Sequence, residues 1–274
     1  MIRLAVRVAR AQAELVLAEL AHLSPAGLEE RDVDDATVEF AIYGAPGELP
    51  ALPDLRAATG GALVEVSTTE LPDDWEHRWR TWHPAVVVEA GGRSLRGRPP
   101  WEDPRPGSID VAIEPAQAFG TGSHETTRLS LALLMELEIG SPPSPLADWG
   151  CGSGVLAVAA AKLGFGPVHA CDVEVASVAA TRDAARDNGV EVDVSRCDLR
   201  REPGPWAPTV TANLVRGLLL EVAGRMTRAP ERLVVSGLLH AEADEVAAAF
   251  ERHGLHETRR REGTEWSALL LQGP

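Results

Sequence analysis

The sequence predicts an α/β protein: a parallel sheet covered by helices, preceded by a small α+β domain. Three observations lead there. From Thr121 onward, helical and strand-like periodicities alternate. A glycine loop, Gly150-Cys151-Gly152-Ser153-Gly154, separates a strand-like run from a helical one. The chain closes with two strand-like runs joined by only a short turn near Gly263. Alternating helix and strand implies a parallel sheet buried on both faces. A tight turn cannot join parallel neighbours, so one of the last two strands runs antiparallel.

The first seventy residues read as strand, helix, strand, strand, helix, strand. Residues 2–8 alternate apolar and basic side chains, the period of a strand. Residues 10–23 are rich in Ala and Leu, with Leu15, Leu17, Leu20 and Leu23 among the apolar positions of a helix. Residues 28–33 and 37–43 read as a hairpin about Asp34-Asp35. A short segment broken by Pro and Gly (47–59) and a strand (63–68) follow. That order matches a ferredoxin-like domain over residues 1–70. No pattern in it is shaped for catalysis, so it reads as a binding or positioning module.

Residues 71–108 read as a linker. In it, 73–82 is a short helix with Trp75, Trp79 and Trp82 at i, i+4 and i+7, a stripe expected to pack rather than to bind. Residues 86–89 are strand-like, and 96–107 read as an exposed Pro/Arg/Gly-rich loop. The main domain, 109–274, begins with a strand at 109–113 and a helix at 124–138. A proline-rich break at 141–145 leads to strand 146–149 and helix 155–163. Strand 168–172, helix 175–188 and strand 190–194 follow. Strands 209–212 and 233–236 flank a helix at 216–226; helix 241–253 leads to the closing strands 255–262 and 266–271. A parallel sheet finished by an antiparallel hairpin strand is the methyltransferase variant of the Rossmann plan. A dinucleotide fold would continue with another crossover helix.

Composition narrows the function classes. The 274 residues are 45% hydrophobic and 24% charged, ordinary for a globular protein. No apolar run reaches the length of a membrane span, and the basic start is not followed by a signal-peptide core, so no membrane association and a cytoplasmic location are expected. The formal net charge of -15 repels a phosphate backbone, and no direct nucleic-acid partner is expected. Arg259, Arg260 and Arg261 form the densest basic run, in what reads as a solvated strand. A basic protein or a cationic small molecule suits the charge better. Three cysteines, Cys151, Cys171 and Cys197, without a Cys-x-x-Cys pair, argue against a disulfide framework or a metal site. Cys151 reads as a small residue in a tight turn rather than as a nucleophile.

The chemistry concentrates at strand ends. Gly150, Gly152 and Gly154 follow one strand and open a helix, where backbone can approach a ligand closely. The dinucleotide fingerprint needs its third glycine at position 155, which is Val, and no phosphate loop ends in Gly-Lys-Ser/Thr. S-adenosylmethionine, which carries no phosphate, suits such a loop. Asp172 ends the next strand, where an acid can accept hydrogen bonds from ribose hydroxyls; capping the following helix is the competing role. Asp198 ends the third strand similarly, either bordering the adenine or making a plain turn. Asn213 closes the fourth strand and points into the crevice for the methyl acceptor. Leu214 and Val215 follow it, where enzymes gripping a planar base or amide carry two prolines and an aromatic residue.

Residues 119–127, Phe119-Gly120-Thr121-Gly122-Ser123-His124-Glu125-Thr126-Thr127, precede the first core helix. With Ile113-Glu114-Pro115 and Ala118 before them, the string resembles the hallmark of PrmA-type methyltransferases, bacterial enzymes that modify protein eleven of the large ribosomal subunit. Gly150 to Leu156 and Ala212-Asn213-Leu214 agree as well. The resemblance implies that Thr127, Gly150, Asp172 and Asn213 contact S-adenosylmethionine, with Phe119, Gly120, Thr121 and Gly122 covering its methionine end. It also implies a substrate-recognition role for the N-terminal domain and trimethylation of lysine side chains and the terminal α-amine of a basic ribosomal protein. Trp149 stands where the family has a smaller apolar residue, Ser123 differs, and residues 209–211 lack the family's acidic residue. In such a reaction Asn213 would orient the amine, and His124 or Glu125 would relay its proton. The alternatives are a methyltransferase of the same fold acting on another protein or a small-molecule amine, and a non-catalytic cofactor-binding interaction protein. The intact loop, Asp172 and Asn213 argue against the last. Oligomeric state is not legible in the sequence.

Overall fold

Alternation along the first strand sorts its side chains onto two faces. Leu4, Val6 and Val8 of β1 (Ile2–Ala9) are buried, while Arg3 and Arg7 point the other way. The protein is described here by a computed structural model covering residues 2–13, 16–17, 20, 29–34, 36–44, 49–50, 52–70, 84–114 and 124–273. It forms two compact units, Met1–Pro84 and Ala85–Pro274.

In the first unit, β1 lies between β3 (Thr37–Gly44) and β4 (Leu63–Glu70), with β2 (Glu29–Asp32) on the outer side of β3. All pairs are antiparallel, and the order β2-β3-β1-β4 is that of a ferredoxin-like sheet. Its core joins Leu4, Val6, Val8, Phe40 and Ile42 to Val16, Leu20 and to Leu55 of α1 (Leu52–Thr59). Of the helix expected at 10–23, Arg10–Gln12 form a 3-10 turn, and Ala13, Val16, Leu17 and Leu20 are helical. Its other residues, and the tryptophan helix expected at 73–82, lie outside the described residues. On the opposite face of the sheet, the buried carboxylate of Glu39 meets Arg3, Arg7 and Arg31 at 2.6, 2.8 and 3.1 Å. Burying that charge is tolerable because it is paired and hydrogen-bonded.

The second unit is built on seven strands in the order β10-β9-β8-β11-β12-β14-β13. These are β8 (Leu146–Trp149), β9 (Val168–Asp172), β10 (Asp193–Arg196), β11 (Thr209–Asn213), β12 (Arg232–Leu239), β13 (His256–Glu262) and β14 (Trp266–Gln272). Only β14 runs against the rest, inserted between β12 and β13. The helices are α2 (Glu125–Met135), α3 (Val155–Leu163), α4 (Val175–Asp187), α5 (Arg216–Arg225) and α6 (His240–Glu251). In α3, all residues from Val155 to Ala160 are buried, so small side chains let it sit close on the sheet.

Three strand expectations need correction. Residues 96–107 are not simply an exposed loop: Arg96 and Arg98 belong to β6 (Arg93–Arg98), which joins β5 (Val86–Ala90) and β7 (Ile109–Ala112) in a small second sheet. Arg96 is buried because it pairs with Glu102 and with Asp110 at 3.0 Å, and Arg98 reaches the same Asp110 oxygen. Leu95, Val111 and Ile113 pack this sheet onto Leu131, Met135, Val155 and Ala159. The strand expected at 190–194 begins only at Asp193. Val190 instead donates its N–H to Ala185 O and closes the end of α4 after Gly189 at φ +65°. The arginine run is not freely solvated. Arg259 and Arg261 pair with Glu136, and Arg260 with Asp244 and Glu257, so the outer strand β13 presents charge that discourages edge pairing. Among the described residues, no helix is long and apolar enough to cross a membrane.

Candidate active site

The carboxyl ends of the parallel strands meet at the glycine loop, the edge where open α/β sheets bind ligands. Gly150, Gly152 and Gly154 take φ of +72°, +52° and +82°, the left-handed region where other residues are strained. Space adds a second requirement. A Cβ on Gly150 would collide with the Leu214 side chain, and one on Gly154 would lie 2.9 Å from Thr181 Cα. The loop is pinned to the next strand, because the N–H groups of Gly150 and Cys151 both donate to Cys171 O, at 2.8 and 3.0 Å.

Asp172 stands at the end of β9 with each carboxylate oxygen holding one backbone donor. Oδ2 accepts from Gly152 N at 2.9 Å and Oδ1 from Glu174 N at 3.0 Å. One side chain thus braces the loop and the entry to α4. A carboxylate offers about four lone-pair directions, which leaves capacity for ribose hydroxyls. Asp172→Ala is expected to weaken S-adenosylmethionine binding about ten- to a hundredfold, equivalent to roughly 1.5–3 kcal/mol of charge-assisted hydrogen bonding. Calorimetric titration of both proteins checks this, and unchanged affinity would overturn the ribose assignment.

Asp148, at the head of the loop that runs to Gly154, stands two residues before Gly150. It is fully buried, Oδ1 accepts from Thr211 Oγ1 at 2.6 Å, and Oδ2 has no hydrogen-bond partner among the described residues. Burial pushes its pKa up to about 7; the Thr211 hydrogen bond opposes this, and the charge of Asp172 adds to it. The signal available in the sequence was an acid inside an otherwise apolar strand end. The folded protein therefore holds a proton that the unfolded chain releases near its ordinary value of 3.8. Stability then falls as pH rises from about 4 to about 7 and levels off above. Asp148→Asn cannot ionise, so its melting temperature relative to wild type should rise between pH 5 and pH 8. A pH-independent difference would contradict the assignment.

Asn213 ends β11. Its Nδ2 donates to Thr126 Oγ1 at 3.3 Å and Thr127 Oγ1 at 3.5 Å. His124 is the N-cap of α2: its Nδ1 accepts from Thr126 N at 3.4 Å and lies 2.8 Å from Thr126 Oγ1. Thr126 thus bridges Asn213 and His124. Burial lowers the His124 pKa, with Glu125 opposing and Arg128 adding, so the imidazole is neutral at physiological pH. Its ring meets Trp266 edge-on at 5.2 Å between centroids. Glu125, also considered for the proton relay, is engaged with the turn at Thr264 and Glu265.

Leu214 fixes where Asn213 lies. It packs against Gly150, donates its N–H to Ser236 O at 3.0 Å, and its carbonyl lies where a Cβ on Gly237 would be. Gly237, at φ +84°, sits where β12 shifts register against β14. An isolated glycine within a strand-like run is the sign of such a close approach.

Asp198 lies beyond the end of β10, in a turn where its Oδ1 accepts from Arg200 N at 3.0 Å. Phe119, Gly120, Thr121 and Gly122 lie outside the described residues. The Cys151 thiol is buried, its pKa pushed up to about 12, which suits packing rather than nucleophilic attack. Trp149 is accommodated because Gly204 lies against its indole, whose Nε1 donates to Pro205 O at 2.9 Å.

The family model described as "Ribosomal protein L11 methyltransferase (PrmA)" matches residues 6–273. A ribosomal protein L11 methyltransferase of Azotobacter vinelandii is 37% identical over 224 residues, 77% of this chain and 73% of that protein. One from Pseudomonas aeruginosa is 36% identical, covering 79% and 74%. One from Symbiobacterium thermophilum is 36% identical, with 74% of this chain matched to 66% of that protein's length. The crystal structure of a ribosomal protein L11 methylase from Lactobacillus delbrueckii subsp. bulgaricus superposes with a TM-score of 0.61 at 24% identity. It covers 69% of this chain and 99% of that one, which shows the fold. The cofactor of such a chain is S-adenosylmethionine. The residues present are compatible with it: a glycine loop without side chains at the carboxyl edge of the sheet, and the Asp172 carboxylate beside it with lone pairs to spare.

Proposed function

We propose that this chain, which belongs to the ribosomal protein L11 methyltransferase family, transfers methyl groups to amine nitrogens of ribosomal protein L11, namely lysine side chains and the terminal α-amine. The observation that carries the reading is the anchoring of Asn213. Its amide nitrogen is tied to Thr126 and Thr127, so its carbonyl oxygen is the part left to orient an incoming N–H.

S-adenosylmethionine, when bound, would supply an electrophilic methyl group, and the residues that would hold it are Gly150 and Gly152 of the loop, Asp172 and Thr127. The amine must arrive neutral, because an ammonium has no lone pair and a lysine ordinarily keeps its proton up to a pKa of about 10.4. Asn213 Oδ1 accepts a hydrogen bond from the neutral amine and turns its lone pair toward the methyl. Alignment of this kind supplies most of the acceleration in a direct displacement. His124 is neutral and tied to Asn213 through Thr126; its Nδ1, on giving up the Thr126 hydrogen bond, would take the proton the ammonium loses, and the carbon–sulfur bond would break as the nitrogen–carbon bond forms. The net charge of -15 favours encounter with a basic substrate.

The experiment is intact mass spectrometry of purified ribosomal protein L11 after incubation with the chain and S-adenosylmethionine. Mass increments of whole methyl groups, mapped to lysines and the N-terminus, are expected. An unmodified product, with cofactor binding intact, would redirect the search to another protein or a small-molecule amine.

A further inference from the structure

We infer that Glu125 is a positioning residue: its carboxylate clasps the turn between β13 and β14 onto the head of α2, holding in place the Asn213–Thr126–His124 group on which the proposed transfer rests. The topology brings the two ends together. Because β14 runs antiparallel, its first residue, Trp266, pairs with Leu239 at the edge where the parallel strands finish. The turn before it therefore lies beside the start of α2, although 139 positions separate Glu125 from Thr264.

The contacts are those of an acceptor meeting only donors. Both Glu125 oxygens lie 2.9 Å from Thr264 N; Oε1 also accepts from Thr264 Oγ1 at 3.3 Å and Oε2 from Glu265 N at 3.4 Å. The turn is itself braced, with Gly263 N donating to Trp266 O at 2.8 Å and His240 N to Glu265 O at 3.1 Å. A Cβ on Gly263 would fall on the Glu125 carboxylate, so glycine there is what admits the clasp. One end of the clasp is adjacent in sequence to His124 and Thr126; the other leads into Trp266, which packs on His124. The Thr264 N–H holds the Glu125 carboxyl below its ordinary range, so the clasp persists throughout the neutral range.

Three variants test this: Glu125→Ala, Gly263→Ala, which displaces the carboxylate while leaving it present, and the double variant. Amide hydrogen exchange on the protein without cofactor should speed up at 124–128 and 263–266 in each. Single-turnover methyl transfer should slow about ten- to a hundredfold, the scale of small misplacements of reacting groups. The S-adenosylmethionine KM should change less than kcat, and the melting temperature by only a few degrees. Gly263→Ala should add nothing in the Glu125→Ala background, and Glu125→Gln, which turns a donor toward donors, should not restore the rate. Unchanged exchange in Glu125→Ala, or losses that multiply in the double variant, would overturn the clasp. Should wild type transfer no methyl group at all, the functional reading fails while the exchange measurement still decides the clasp.

Discussion

Replacing Asn213 with Ala is expected to lower the single-turnover rate of methyl transfer by about a hundred- to a thousandfold, the range seen when one preorganised hydrogen-bonding group is removed from a reacting centre. S-adenosylmethionine affinity should fall far less, because the proposed cofactor contacts at Gly150, Gly152 and Asp172 are braced by Cys171 O and by one another rather than by the Asn213 side chain. The asymmetry follows from the two ends of the amide. Losing Nδ2 releases the hydroxyls of Thr126 and Thr127, which lie on a helix packed into the core. Losing Oδ1 removes the acceptor proposed to turn the amine. A group that acts on the amine lowers kcat, whereas one that only binds raises KM. Rapid-quench measurements at saturating cofactor decide between them. Near-normal turnover in Asn213→Ala would remove Asn213 from the acceptor site.

A chain that begins at Asp73, without the first sheet, is expected to bind S-adenosylmethionine with affinity close to that of the whole protein. It should methylate folded ribosomal protein L11 slower by orders of magnitude. The loop, Asp172, Asp148 and Asn213 all lie within Ala85–Pro274, a compact unit with its own core on both faces of the seven-stranded sheet. That core includes Leu146, Ala170, Val210, Val235 and Leu269, all from the second unit. Binding energy from remote parts of a substrate is what positions its reacting group, and a recognition role for the first unit, as the family resemblance implies, would supply it. Methyl incorporation into intact L11 by the two proteins makes the comparison. Equal rates would show that the first unit is not the recognition module and would favour a small acceptor.

What could be read from the chain alone was governed by short-range rules. The glycine loop, the strands at 146–149 and 168–172, and Asp172 at the end of the second announce themselves within a few residues, because turn geometry and side-chain period are local. The antiparallel closing strand was legible for the same reason: a turn as short as that at Gly263 permits no crossover. Elsewhere the partner lies far along the chain. Arg96 reads as loop because arginine is ordinarily solvated; only the facing Asp110 on β7 and Glu102 make it a buried strand residue. Asp148 takes its hydrogen bond from Thr211, 63 positions away, and although an acid at an apolar strand end hints at burial, the raised pKa depends on the packing around it. Gly237 is required by the carbonyl of Leu214, and Glu125 by a turn 139 positions on. Sequence by itself determined the fold class, the glycine loop and the strand-end residues, since backbone conformation and hydrophobic period are set by near neighbours. Which polar groups are buried, which meet, and how Asn213 is oriented were decided only by tertiary packing, because desolvation and hydrogen bonding depend on what surrounds a group in space.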